Sequence, residues 1–183
     1  MLQSHISNAD VYRFSYDVYV KDLGKHFPDA DHLNGYLTDS FDSDASYITE
    51  VKDNCLIGTC RINRIHTTHH QYSKLQQRYQ ISDFFIQSDN VFFISRLLIK
   101  KKYRSTNTLL RLLKNIFYKV KKHNDFIIVI DCSPALVPMY LKLGFKTYKE
   151  NFIDEVLGEK TPLYFSYEDK NHLRKINSPV LNW

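Results

Sequence analysis

Glycine and proline are scarce, five of each in 183 residues. That leaves no room for a long flexible linker, and it excludes collagen-like and low-complexity architectures. Cysteine is sparser still. Cys55 and Cys60 sit close together and Cys132 is remote, a distribution that fits neither a disulfide framework nor a closed metal site. Three unpaired cysteines suit a reducing compartment, so a cytoplasmic setting is expected. The N-terminal MLQSHISNADVYRF has no apolar core, so no secretory leader is expected. No run approaches the roughly 18 apolar residues that span a bilayer, so no transmembrane segment is expected. Charge of one sign is also limited: 25 Lys and Arg oppose 20 Asp and Glu, a net of +5. This excess suits a phosphorylated cofactor or an acidic carrier protein; a merely solvated basic face is the plainer reading. The lysines cluster at helix ends and form no basic stripe interleaved with aromatics, so no nucleic-acid partner is expected.

Aromatic residues are plentiful instead, with 13 Tyr and 12 Phe. They form either a ring-packed core or a pocket for an apolar ligand such as a fatty acyl chain. The length fits one domain of about 100–200 residues, expected to cover 1–183 with a peripheral tail at 168–183.

The hydrophobic spacing predicts a helix over 7–23, with Ser7 or Asn8 as its cap and Gly24 as its terminator. A polar loop at 25–44 follows. Strands are expected at 45–51 and 55–62 around a hairpin turn at Lys52-Asp53-Asn54. A polar helix is expected at 69–80 and a central strand at 91–99. The clearest helix spans 105–123, capped by Ser105 or Thr106, with Leu109, Leu110, Leu112, Leu113, Ile116, Phe117 and Val120 on its apolar face. Then come a buried strand at 125–131, a short helix at 135–145 ending at Gly144, and strands at 145–152 and 162–167. This order predicts an α/β fold: a mixed, mostly antiparallel sheet flanked by helices.

The most informative stretch is 91–145. A strand ends in basic residues and a helix begins at once. A helix N-terminus offers unpaired amides and partial positive charge, which bind phosphate. Arg104 and Lys100, Lys101 and Lys102 would add charge; Ser105, Thr106, Asn107 and Thr108 would donate hydrogen bonds. A capped helix after a soluble strand end accounts for the same pattern without a ligand. His66, His69 and His70 match no closed metal site, so no metal is expected.

The segment Tyr140-Leu-Lys-Leu-Gly-Phe, following the strand IIVID, resembles the GNAT superfamily of acyltransferases. The resemblance implies that the helix after the central strand holds the phosphate of coenzyme A, or of a carrier-bound pantetheine. It implies that the strand's main chain at Leu97, Leu98 and Ile99 binds the pantetheine arm and the oxyanion. It also implies that Tyr140 protonates the departing thiolate. The phosphate loop departs from the family pattern, Arg/Gln-x-x-Gly-x-Gly/Ala, and reads Arg104-Ser-Thr-Asn107-Thr-Leu109. Asn107, tolerant of left-handed backbone, would stand for the first glycine. Leu109 would crowd a pyrophosphate and so favours a donor with a single phosphate.

In the N-terminal half, YDVYVKDLGK, Asp39-Ser-Phe-Asp42, Gly58-Thr-Cys-Arg61 and Ile94-Ser-Arg96 resemble acyl-homoserine-lactone synthases and long-chain N-acyl amino acid synthases. By this resemblance Asp39, Asp42, Arg61 and Arg96 bind the acceptor, and Asp42 relays its proton. Simple ion pairing that orders the 25–44 loop is the alternative. Phe93 stands where the lactone synthases carry Glu, which points to a different acceptor. The expected activity is an N-acyltransferase with no tightly bound cofactor, using acyl-CoA or acyl-phosphopantetheine on an acyl carrier protein as co-substrate. Its acceptor would be a small-molecule amine such as an amino acid. An acetyl-CoA-dependent acetyltransferase or a non-catalytic acyl-CoA-binding module would share these features.

Overall fold

Ser7 opens the first helix, α1 (Asn8–Tyr16), through a reciprocal capping box. Its hydroxyl accepts from the Asp10 amide, and the Asp10 carboxylate accepts from the Ser7 amide at 2.9 Å. The expected helix over 7–23 is not α-helical throughout. Asp17–Asp22 forms a π-helical turn, with the Leu23 amide reaching Val18 O at 3.1 Å, before Gly24 ends the element at φ +63°. Phe14 and Val18 stay buried together against Leu98 across this change of pitch.

The computed structural model describes residues 6–66, 68 and 72–183. Their contacts divide into two compact units: residues up to 61 with 96–116, and 62–95 with 117–183. His69 and His70, and the start of the expected 69–80 helix, lie outside the described residues.

The first unit holds β1 (Ser46–Lys52) and takes in residues 55–61, 96–99 and 108–116 of the three elements described next; β1 turns into β2 (Cys55–Ile65) through Asp53 and Asn54, whose φ values of 51° and 57° define a two-residue hairpin turn. From Ile57 to Asn63 β2 is buried on both faces, as expected where helices cover a sheet. β3 (Val91–Ile99) carries one irregularity: Arg96 has φ +49° in mid-strand. The long helix, α4 (Thr108–Val120), starts later than the 105 expected, because 105–107 form a turn. Leu110, assigned above to the apolar face, is 44% exposed, while Leu112, Leu113, Ile116, Phe117 and Val120 are buried. Gly58 lets α4 approach β2: an added Cβ would meet Leu112 at 2.9 Å and Thr108 at 3.2 Å.

In the second unit, α2 (Tyr72–Tyr79) is polar in composition yet buries Leu75 and Tyr79, and a short α3 (Ser82–Phe85) follows. β4 (Ile127–Cys132) runs parallel to β3, with Val91–Phe93 in register with Ile127–Val129. A 3-10 turn at Pro134–Leu136 leads into α5 (Val137–Leu143), which ends at Gly144 with φ +110°. The expected strand at 145–152 divides into β5 (Lys146–Thr147) and β6 (Phe152–Asp154), both paired to β7 (Gly158–Ser166). Pro162, which lacks the N–H that a continuous ladder would need, lies in β7 between the residues paired to β5 and those paired to β6.

The last sixteen residues place three side chains in the interior. α6 (Lys170–Lys175) and a 3-10 turn at Pro179–Asn182 bury Leu173 and Val180 completely. Ser178 Oγ donates to Leu143 O at 2.6 Å, and the Trp183 ring packs edge-on to Phe117. Apolar burial drives this docking, a contribution hidden in a segment whose composition is mostly polar. Much of the aromatic content has the same use. Phe117, Phe126 and Phe145 surround Phe165, and Tyr79 packs against Phe93 and Phe152.

Together the strands form one seven-stranded mixed sheet in the order β1-β2-β3-β4-β7-β5, with β6 paired to β7.

Candidate functional site

The 25–44 loop, β2 and β3 bring Asp39, Asp42, Arg61 and Arg96 together. Arg61 Nη1 donates to Asp39 Oδ1 at 2.6 Å and to Asp42 Oδ1 at 2.8 Å. Arg96 closes the ring, with Nη2 on Asp39 Oδ2 at 2.8 Å and Nη1 on Asp42 Oδ2 at 3.2 Å. Arg96 Nη1 also donates to Leu37 O at 2.9 Å. Two cations and two anions cancel. Burial opposes charge on Asp39, yet Arg96 and Arg61 more than offset it and hold its carboxyl below the ordinary carboxylate range. For Arg61 too burial works against the charge, and the two aspartates outweigh it, so the guanidinium stays protonated.

Asp42 is the hub of the ring. Its side chain is 5% exposed, and besides the two arginines it accepts from the Tyr47 hydroxyl at 2.5 Å and the Asp39 amide at 2.7 Å. These four bonds use the four acceptor directions of a carboxylate. Asp42 is therefore an anchor of the loop, and the proton relay expected of it has no open position. Burial, followed by the bond to Asp42, raises the Tyr47 phenol above its usual range, so Tyr47 remains a donor. The Asp39 side chain is 39% exposed and keeps one open acceptor direction on Oδ2. Tyr47 was missed in the sequence; its place five residues after Asp42, on the next strand, is the signal that would have found it.

Between β3 and α4 lies the expected phosphate turn. Arg104 Nε donates to Ile99 O at 3.0 Å, which folds the side chain back on the strand end. Thr106 Oγ1 donates to Tyr103 O and accepts from the Thr108 amide, and the Thr106 and Thr108 hydroxyls are 2.8 Å apart. Thr106 thus caps from two residues before the helix, while Ser105 lies outside it. Asn107 departs from expectation. It has no positive φ; it is the residue whose carbonyl accepts the first helical bond, from the Arg111 amide. The turn needs no left-handed residue because the two threonine hydroxyls tighten it. Leu97, Leu98 and Ile99 follow the irregular Arg96, and β3 has Ser95, Arg96 and Leu97 consecutively half-buried where a regular strand would alternate.

In the second unit Tyr140 sits in the last turn of α5, buried, with its ring edge-on to Phe145 at 5.2 Å. Phe93 packs on Tyr79, whose hydroxyl donates to Asp131 at 2.5 Å. Burial and the Asp131 charge raise the Tyr79 phenol out of its usual range. Among the described residues, no group of three or more His, Cys, Asp and Glu side chains could hold a metal ion.

A family model, the acetyltransferase (GNAT) domain, matches residues 14–114. The chain belongs to the GNAT acetyltransferase family. The match runs from α1 through the ion ring and the phosphate turn into α4; Tyr140 lies beyond it. No curated protein matches the sequence. Among solved structures, the CoA-dependent acyl-homoserine lactone synthase BjaI, bound to MTA, is similar at 12% identity and a TM-score of 0.67, covering 94% of this chain and 82% of that one. FeeM, an N-acyl amino acid synthase from uncultured soil microbes, has a TM-score of 0.67 at 11% identity, covering 88% and 91%. Escherichia coli ElaA follows at a TM-score of 0.60 and 16% identity, covering 89% and 94%. At such identities the likeness is one of fold. The chain is thus a GNAT-fold acyltransferase, and no helix among its described residues is long and apolar enough to cross a membrane.

Proposed function

We propose that this GNAT acyltransferase moves an acyl group from a pantetheine thioester, on coenzyme A or on an acyl carrier protein, to the amine of a small molecule such as an amino acid. The observation that carries the reading is the run from the irregular β3 into a threonine-tightened turn and the N-terminus of α4. The first part sets a left-handed residue immediately before Leu97 in the strand; the second offers helix amides and Arg104 to a phosphate. In this reading the main chain of Leu97, Leu98 and Ile99 lines the pantetheine arm. Arg104, Ser105, Thr106, Asn107 and Thr108 seat its phosphate.

The acceptor attacks as a neutral amine, its ammonium having lost a proton to solvent. Its nitrogen forms a bond to the thioester carbon, and the carbonyl oxygen becomes an oxyanion stabilised by strand amides. Collapse breaks the C–S bond. Tyr140 gives its proton to the thiolate, and the new amide nitrogen loses its proton to solvent. Asp39, the more exposed of the two carboxylates, meets the acceptor's ammonium before deprotonation. Asp42, Arg61 and Arg96 support it. Lys100, Lys101 and Lys102, which directly follow β3, would dock the acidic surface of a carrier protein; Arg111 is engaged with Glu50.

One observation favours a short acyl group as an alternative. Tyr79 packs on both Phe93 and Phe152, and rings engaged with each other in this way suit a donor with a short acyl group, acetyl-CoA. The test is free-thiol release from acyl-CoA and acyl-carrier substrates of graded chain length, each with an amine panel. Amine-dependent release supports the proposal, and the preferred length decides between its two forms. Absence of release with every thioester overturns both.

A further inference from the structure

Arg96 is a residue out of place. Among the described residues, the other non-glycine residues with positive φ lie at the β1–β2 turn (Asp53, Asn54) or just after helices (Gln80, Asn177). Arg96 alone has this conformation inside a strand, and a long unbranched side chain gains nothing from it. Such strain persists only where the surroundings over-determine it. Here the surroundings are the ion ring. Three hydrogen bonds from the Arg96 guanidinium end on Leu37 O, Asp39 and Asp42. Asp42 is in turn fixed by Tyr47, Arg61 and the Asp39 amide.

We propose that the ring of Asp39, Arg61, Asp42 and Arg96 is a latch on the β3 backbone. It holds Arg96 in the left-handed conformation, and so fixes the amides of Leu97 and Leu98 where the thioester oxygen develops charge. Arg96 and Asp42 are then positioning residues. This rests on the acyl-transfer reading above for its catalytic half, and on conformation alone for its structural half. The ring suits that work because it is neutral and its members bond mainly to one another. It is poorly suited to supply Arg96 or Asp42 as substrate contacts. A substrate carboxylate would have to displace Asp39 or Asp42 from Arg96, and a substrate ammonium would have to displace an arginine from Asp42.

The test compares Arg96→Gly with Arg96→Ala. Both lose the guanidinium, and only alanine resists positive φ. In a regular strand alanine is the more stable of the two. The latch predicts the reverse order: Arg96→Gly melts about 2–4 °C above Arg96→Ala. It also predicts that Arg96→Ala lowers kcat by at least about tenfold with little change in donor or acceptor KM, since oxyanion donors act in the transition state. Arg96→Gly recovers several-fold of that kcat. Asp42→Asn, which loosens the ring and leaves Arg96 in place, gives a smaller fall of the same kind. An alanine variant that melts at or above the glycine variant overturns the strain argument. Equal loss of kcat in both Arg96 variants with a raised acceptor KM overturns the latch and makes Arg96 a substrate contact. If the unmodified protein turns over no thioester, the acyl-transfer reading fails, and the melting order still decides the structural half.

Discussion

Arg61 shows what the ring costs to break. Its side chain is 4% exposed and bonds to two carboxylates, so Arg61→Ala takes one of two arginines from a ring of two aspartates and leaves Asp42 with an unfilled acceptor in a buried place. We expect a loss of about 3–5 kcal/mol, measured by urea unfolding, as for other buried pairs deprived of one partner. Asp39 adds a pH dependence. Its folded carboxyl is held below its ordinary value of 3.8, so the unfolded chain takes up the proton first. The stabilisation is complete above pH 3.8 and is lost as pH falls through the lower folded value. Urea midpoints measured from pH 6 to pH 2 should fall more steeply for the native protein than for Asp39→Asn; parallel curves would show that the ring does not depress Asp39. Tyr140→Phe removes the proposed acid without disturbing the packing of the ring on Phe145. It should lower kcat about 100-fold or more while the circular-dichroism spectrum stays that of the native fold.

The elements show where local reasoning succeeded and where it stopped. α4, β3, β4 and the Gly144 terminus were legible because apolar periodicity and glycine carry local information. The π-helical turn at Asp17–Asp22 was not, since its spacing still keeps Phe14 and Val18 on one side. β5 and β6 pair with parts of β7 on either side of Pro162, and the segment after α6 is tied to Leu143 O by Ser178, so neither could be read locally. The site divides in the same way. The four charged residues were legible as a set, while their pairing with one another and with Tyr47 was a tertiary fact. Two predictions belong here. Gly58→Val would press a side chain into Leu112 and Thr108 and shift the start of α4; donor KM should rise by about tenfold with a smaller change in kcat. Leu173→Ala should cost about 2–5 kcal/mol of stability, because Leu173 is fully buried and touches the space that a Cβ at Gly144 would need.

At the scale of the whole chain, a net charge of +5 and a lysine run beside the phosphate turn give the donor question an ionic-strength test. A carrier-bound donor should show KM rising steeply with salt, while acyl-CoA should show a weaker slope. The GNAT fold by itself does not choose between these donors or among amines, because one fold hosts many chemistries. The most direct measurement is mass spectrometry of the product formed when the protein is given a carbon-13-labelled acyl thioester and an amine mixture. The account predicts a labelled amide that appears with the protein, at one label per released thiol, and that falls about 100-fold or more in rate with Tyr140→Phe. Thiol release with the label recovered only as free acid, and no amide, would contradict it.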